Sequence, residues 1–168
     1  IPKVAELFER RFGRAGITAL ERHGMDPVPD VTIVCMGPDA GTLLHLLPQL
    51  REALGVSIGA VVVRLLSPFP AAELAEALRG ARAVAVVNNA SHSGRGHLTQ
   101  DVSAALADAG QAPPIDAFFC GLGGADVSMD TWRLIVREAC ATAARGRISR
   151  PYRFVHEGVE LDTEGTHP

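Results

Sequence analysis

The sequence has few cysteines, and none of them stand close together. Cys35, Cys120 and Cys140 are an odd number at wide spacing and include no CxxC pair. Disulfide-stapled folds, zinc sites and iron–sulfur sites all require denser cysteine patterns than this one. We therefore expect buried, reduced thiols in a cytoplasmic protein, and we expect this chain to hold no metal or cluster.

A charge of one sign and a long apolar run are also missing. The formal net charge is −3, and the one cluster of cations, at positions 10–14, shares its segment with two glutamates. A nucleic-acid footprint should be a continuous basic stripe, so the charge pattern argues against nucleic acid as a partner. The longest apolar runs, which begin at Ile58 and Ile115, fall far short of the ~20 residues that cross a bilayer. We expect no membrane role.

Length and composition predict one globular domain. With 168 residues, of which 47% are apolar and 21% charged, the chain is long enough to bury a single core. It begins with Ile1-Pro2, without Met or a signal-peptide pattern, which favours a piece cut from a longer polypeptide.

Short apolar runs alternate with amphipathic segments. Strands are predicted at residues 31–37, 56–66, 83–87 and 115–119, and helices at residues 2–12, 39–54, 71–79, 98–109 and from 129 onward. Asp39 and Ser128 are predicted to cap the second and the last of these helices. Pro48 is predicted to kink the second helix or to split it. Continuous apolar strands between amphipathic helices are covered on both faces, which requires a mostly parallel sheet with right-handed crossovers. We predict an α/β fold, a three-layer α/β/α sandwich. Residues 1–30 are expected to form a leading helix and linker, residues 31–146 the α/β domain, and residues 147–168 a C-terminal arm, with an edge strand possible at 151–155 and a tail from 157.

The loop after the third predicted strand is the strongest candidate for a ligand site. In an open parallel sheet, ligands sit beyond the carboxyl ends of the strands, and this loop leads into a helix N-terminus. Its amide groups, together with Ser93, Gly94, Arg95, Gly96 and His97, suit a phosphate or a carboxylate. The alternative is a tight connection in which glycines supply positive φ angles and polar side chains satisfy the loop's own backbone.

Two other loops contain glycine but lack the residues that complete a known site. Residues 37–41 show no GxGxxG pattern, and residues 121–126 lack the Lys-Ser/Thr of a phosphate loop. A turn with a helix cap explains the first loop, and a close backbone approach or a subunit contact explains the second. No nucleophile–base arrangement stands out, so the residue pattern alone identifies no active site.

Three segments, in this order and at these distances, resemble a known family. The first reads VVRLLSPFP at residues 62–70 and contains Arg64, Pro68, Phe69 and Pro70. The second reads AVAVVNN at residues 83–89 and continues as GRGHLTQDV at residues 94–102. The third reads GLGGADVS at residues 121–128 and contains Gly121, Gly123, Gly124 and Asp126. Together with residues 31–41 they resemble core domain II of the pyruvate (2-oxoacid):ferredoxin oxidoreductase α subunit, a domain similar to the C-terminal domain of transketolase.

Two positions depart from the family pattern. An Asp-Arg pair that commonly follows the second motif's strand is Asn88-Asn89 here, and an Arg in the glycine motif is Ala125. Family contacts at these positions are therefore not carried over, and the choice between pyruvate and another 2-oxoacid stays open.

The resemblance implies an enzyme complex that decarboxylates a 2-oxoacid, expected to be pyruvate, on thiamine diphosphate and Mg²⁺. Electrons pass through 4Fe–4S clusters to ferredoxin or flavodoxin, and coenzyme A takes the acyl group. In this family the thiamine site lies between two other domains, and the clusters are held by cysteine-rich segments elsewhere. This module is then expected to support the catalytic domains and build the oligomer, with no catalytic residue of its own, so that the isolated chain is inactive.

Two alternatives remain open. One is an independent small domain that binds a nucleotide or coenzyme A through the loop at residues 93–97. The other is a regulatory or assembly subunit of a different multi-subunit complex. A ligand screen on the isolated chain tests the first, and co-purification with cluster-bearing chains tests the family assignment.

Overall fold

The described part of the chain is built around one seven-stranded sheet. The computed structural model describes residues 2–14, 18–90 and 94–161. Its elements are α1 (Pro2–Phe12), β1 (Leu20–His23), β2 (Val31–Met36), α2 (Pro38–Leu54), β3 (Ile58–Val63), α3 (Ala71–Ala77), β4 (Val84–Asn88), α4 (His97–Asp108), β5 (Ile115–Phe119), a short 3-10 turn (Leu122–Gly124), α5 (Met129–Arg145), β6 (Arg153–His156) and β7 (Val159–Leu161). No helix within these ranges combines the length and the apolar character needed to span a bilayer.

The strand order is β1-β3-β2-β4-β5-β6-β7. The five inner strands, from β3 to β6, pair in parallel, whereas β1 and β7 pair antiparallel at the two edges. The chain passes from β2 to β3 on one side and then returns to place β4 on the other side of β2. The predicted α/β sandwich with a mostly parallel sheet is confirmed.

Successive strand residues pack on opposite faces of the sheet. Ile33 belongs to a core cluster formed with α2 and α5, whereas its neighbour Val34 belongs to a second cluster formed with α3 and α4. Both side chains are fully buried. Because helices cover both faces, β2, β3, β4 and β5 are apolar at most positions, which is the pattern that predicts these strands from the sequence.

Most helix ends follow the sequence signals. The Ser128 hydroxyl accepts a hydrogen bond from the Thr131 amide at 3.3 Å, so the predicted cap of α5 is confirmed. The prediction that Asp39 caps α2 is wrong, because Gly37 is the N-cap residue and Asp39 lies in the first turn. Of the two alternatives for Pro48, a kink or a split, the split is wrong, since α2 runs from Pro38 to Leu54 with Pro48 inside it.

Two short strands lie where the sequence suggested none. β1 falls in the segment expected to be a loop, and β7 falls in the expected tail. β1 reads LERH and β7 reads VEL, so neither has the apolar run that marked the inner strands. Their partners decide their conformation, because β1 pairs with β3 and β7 with β6. The division of the chain at residues 30 and 146 stays a prediction.

A buried arginine joins β6 to the rest of the sheet. Arg153 is 2% exposed, and its Nη1 donates to Asp116 Oδ1 at 3.0 Å, where Asp116 is fully buried on β5. Its Nη2 donates to Glu138 on α5 at 3.0 Å and also contacts the Ser149 hydroxyl. The guanidinium carbon lies 5.6 Å from the centre of the Phe118 ring. One cation therefore connects two strands and a helix.

We predict that Arg153→Met destabilises the chain by about 3–5 kcal/mol, because it leaves the Asp116 carboxylate buried without its partner. Urea unfolding followed by circular dichroism measures this loss. The double variant Arg153→Met/Asp116→Leu is the control, since removal of both charges should restore most of the stability. A single variant as stable as the wild type would show that the pair contributes nothing.

The three thiols differ in burial, and we predict that this sets their reactivity. Burial raises the pKa of Cys35 and of Cys120 to about 12, and the nearby Asp39 carboxylate adds to both shifts. Half-buried Cys140 has a pKa that burial raises as well. At about pH 8 iodoacetamide should therefore modify Cys140 first, and the other two thiols only on unfolding. Intact-mass measurement counts the adducts, with a urea-unfolded sample as control, and two rapid adducts on the native chain would contradict the prediction.

Candidate functional site

The chain changes its direction of winding between β2 and β4, and we call the carboxyl edge of the sheet at this point the crevice. In open α/β sheets this is the usual place for a ligand. β2 ends at Met36 and leads into Gly37, and β4 ends at Asn88 and leads into Asn89. A Cβ placed on Gly37 would lie 3.7 Å from the Asn89 amide nitrogen, so the two loops are in contact.

Asp39 is a carboxyl that follows the end of β2 at this edge. It is half-buried in the first turn of α2, and its removal from water raises the pKa of its carboxyl above the ordinary value. A Cβ on Gly121, at the end of β5, would lie 3.4 Å from Asp39 Oδ1. The sequence pattern predicts Asp39 only as a helix cap. Its position just after the first predicted strand is nevertheless a signal for the carboxyl edge of the sheet. It is a carboxyl able to exchange a proton or to accept hydrogen bonds from a bound molecule.

Asn88 ties three elements together at the same edge. The residue is 5% exposed, and its side-chain nitrogen donates to the Thr99 hydroxyl on α4 at 2.8 Å and to the Phe118 carbonyl on β5 at 3.3 Å. Gly96 packs directly against this amide with φ +86°, and any Cβ there would collide with it. The glycine is therefore needed for close approach, which is the tight-connection alternative for this part of the loop.

The guanidinium of Arg95 is engaged within the chain. Its Nε donates to the Pro151 carbonyl at 3.1 Å and its Nη2 to the Ile115 carbonyl at 2.8 Å. Ile115 is the first residue of β5 and Pro151 precedes β6, so both acceptors lie at the amino ends of their strands, away from the carboxyl edge. Of the other predicted members of this loop, Gly94 and His97 are exposed, while Ser93 lies outside the described residues.

The first family motif links β3 to the edge of the sheet. Arg64 forms a two-pronged ion pair with Glu21 on β1, with both N–H to oxygen distances at 3.0 Å, and this bonding lowers the pKa of the Glu21 carboxyl. After the strand, half-buried Phe69 packs against the core on the α3 and α4 side, and Pro70 is buried. Pro68 is exposed in the same turn. The motif therefore connects the end of β3 to the start of α3.

The glycine motif forms an exposed turn next to the crevice. Gly121, Gly123 and Gly124 have φ angles of +68°, +66° and +84°, which L side chains rarely adopt. Gly123, Gly124 and Asp126 are exposed, so the turn presents backbone to solvent. In the part of the chain that the structure describes, no three His, Cys, Asp or Glu side chains are grouped as metal ligands would be.

The structure therefore brings some of the singled-out residues together and keeps others apart. Gly121 lies next to Asp39 at the crevice, and the Asn88 carbonyl accepts a hydrogen bond from the Cys120 amide beside them. Arg64 stands at the β1 edge, and the side chain of Arg95 extends toward the opposite ends of β5 and β6. The arrangement suits a surface that is held rigidly in place and contains one half-buried carboxyl.

Comparison with known proteins identifies the family that the chain matches. The model of the family described as "Pyruvate:ferredoxin oxidoreductase core domain II" matches residues 29–132. The pyruvate synthase subunit PorA of Pyrococcus furiosus is 30% identical over 155 residues, which are 92% of this chain and 38% of that subunit. The ketoisovalerate oxidoreductase subunit VorA of Pyrococcus abyssi is 29% identical over 157 residues, which are 93% of this chain and 39% of that subunit.

A solved structure is similar in fold. It is the 2-oxoglutarate:ferredoxin oxidoreductase from Magnetococcus marinus with 2-oxoglutarate, coenzyme A and succinyl-CoA bound, and it matches with a TM-score of 0.56 and 19% identity. The match covers 80% of this chain and 21% of that one. The chain thus spans less than two fifths of the length of the curated relatives. Since the family match covers more than half of the chain and contains all three motifs, the chain belongs to the pyruvate:ferredoxin oxidoreductase core domain II family.

Proposed function

We propose that this chain is a structural and assembly module of a thiamine-diphosphate-dependent 2-oxoacid:ferredoxin oxidoreductase, with pyruvate as the oxoacid. The observation that carries the proposal is that polar side chains within the segments that resemble the family are engaged in holding the fold. Arg64 binds Glu21, Asn88 binds Thr99, and Arg95 binds two backbone carbonyls. Groups used in this way support a rigid scaffold better than they support bond-making.

The reaction assigned to the whole complex is the conversion of a 2-oxoacid and coenzyme A to acyl-CoA and CO₂, with reduction of ferredoxin or flavodoxin. We assign this chain no step of it. The complex works in the cytoplasm, and the other domains and subunits of the oxidoreductase are the partners of this chain. The glycine turn at residues 121–124 is a suitable contact for them, because Gly123 and Gly124 expose their backbone groups and have no side chains.

The described side chains do not fit the cofactors of such a complex. Cys35 is buried on β2 and Cys120 is buried just after β5, and among the described residues neither belongs to a group of three possible metal ligands, whereas an iron–sulfur cluster requires several thiolates. Asp39 is a single half-buried carboxyl, whereas Mg²⁺ at a diphosphate needs a set of oxygen ligands around it. We therefore propose that thiamine diphosphate, Mg²⁺ and the 4Fe–4S clusters are held by other parts of the complex.

We predict that the isolated chain shows no stoichiometric binding of thiamine diphosphate with Mg²⁺ or of coenzyme A. Titration calorimetry measures this, with an established thiamine-diphosphate enzyme as positive control. Binding of one equivalent of thiamine diphosphate would overturn the scaffold role. Binding of one equivalent of coenzyme A would instead favour the small ligand-binding domain, and Asp39→Asn would then show whether the crevice between β2 and β4 holds it.

We predict that Arg95→Ala destabilises the chain by about 1–3 kcal/mol, because two backbone carbonyls lose charge-assisted donors. The assembled oxidoreductase that carries this variant should keep its turnover per complex while its yield falls. Arg147→Ala is the matched control, since Arg147 is exposed and lines the same surface cavity as Arg95. A higher KM for coenzyme A with normal assembly would contradict the structural role and would place Arg95 at the coenzyme.

A further inference from the structure

The helix α1 carries apolar side chains that the rest of the described chain leaves uncovered. Val4, Leu7, Phe8 and Phe12 follow helical spacing and form one stripe, yet they are 71%, 60%, 43% and 58% exposed. None of the four belongs to either core cluster. Single exposed apolar residues are ordinary on a surface, but a continuous stripe of this kind marks a surface that binds something.

A cavity beside α1 extends this apolar stripe onto the sheet. Its volume is about 370 Å³, and Val4 and Phe8 line it from the helix while Ala19 and Leu65 line it from the ends of β1 and β3. The Arg64 to Glu21 ion pair stands next to it and fixes the position of the two strands. The stripe and the cavity together, which we call the α1 face, form a convex ridge beside a hollow.

The charges around the α1 face favour an acidic partner over a second copy. Between residues 3 and 14 the chain has four cations against two carboxylates, and Arg10 and Arg11 lie in the last turn of the helix. A second copy would bring a face of the same net sign against it.

We propose that the α1 face is the docking surface for another domain or subunit of the same oxidoreductase, one whose contact surface has an apolar centre and an acidic rim. The inference rests on the proposed function. It is supported by the length of the curated relatives, since the matched part is only 38% or 39% of PorA or VorA and more than half of each polypeptide lies outside the match. Such a partner is large enough to cover both the ridge and the hollow.

The test compares tagged forms of the chain expressed with the other polypeptides of the oxidoreductase. The variant Val4→Gln/Leu7→Gln removes two exposed apolar groups and keeps residues that favour a helix, so its thermal melt should match the wild type. The recovered partner is identified by mass spectrometry and by thiamine-dependent decarboxylation of pyruvate. We expect the variant to recover at least about tenfold less partner, because such side chains at the centre of an interface carry much of its binding energy.

Two controls separate the possible outcomes. Val159→Gln makes the same kind of change on β7, at the opposite edge of the sheet, where Val159 is 62% exposed, and it should recover the partner normally. Equal recovery by the Val4→Gln/Leu7→Gln variant and the wild type would overturn the docking surface while leaving the proposed function in place. If the wild type recovers no oxidoreductase polypeptide, both the docking surface and the proposed function are overturned. Self-association of the wild type that the variant loses, seen by analytical ultracentrifugation, would assign the α1 face to a homodimer instead.

Discussion

The contact between Arg153 and Asp116 is the interaction on which one side of the sheet depends. β6 pairs with β5 over two residue positions, Phe118 with Arg153 and Phe119 with Phe154, so the backbone ladder there is short. Side chains supply what the ladder does not. The buried ion pair joins the strands on one face of the sheet, and the Phe119 and Phe154 rings stack at 4.8 Å on the other.

Arg95 extends the same arrangement to the region before the ladder begins. Its two donors bind the carbonyls of Ile115 and Pro151, which precede the paired positions of β5 and β6. Two cations, Arg95 and Arg153, therefore hold the amino end of β6 against β5. Since a buried charge is costly without its partner, the folded state tolerates the loss of neither member of the Arg153 pair.

The inner strands and long helices were predictable because burial imposes a pattern on the sequence. Strands covered on both faces need mostly apolar residues, and β2, β3, β4 and β5 have them apart from single polar residues such as Asp116 on β5. β1 was not predictable, since its polar residues adopt a strand only through pairing with β3. Arg153 was not predictable as a core residue for a similar reason. An arginine is normally a surface residue, and its partners Asp116 and Glu138 are distant in sequence.

The candidate site was harder to predict from the sequence than the fold was. The loop around Arg95 could be singled out from its glycines and polar residues, but the direction of the arginine side chain depends on carbonyls that folding brings near it. Arg95 is thus a predicted site residue whose side chain points away from the carboxyl edge. Asp39, by contrast, is predicted only as a helix cap but lies beside the crevice between β2 and β4. The family motifs are recognisable in the sequence, and the contacts of two of their residues show why those residue types are needed: Gly96 fits against Asn88, and Arg64 matches Glu21.

The strand order also determines how far apart two surfaces of the module are held. The α1 face lies at the β1 edge, and the hairpin of β6 and β7 lies at the other edge. Six inter-strand steps of about 4.8 Å separate the outermost strands, so the sheet is roughly 29 Å wide. A sheet covered by helices on both faces resists bending across this width. Within a larger assembly the module would therefore act as a spacer of fixed length, setting the distance between whatever it touches at its two edges.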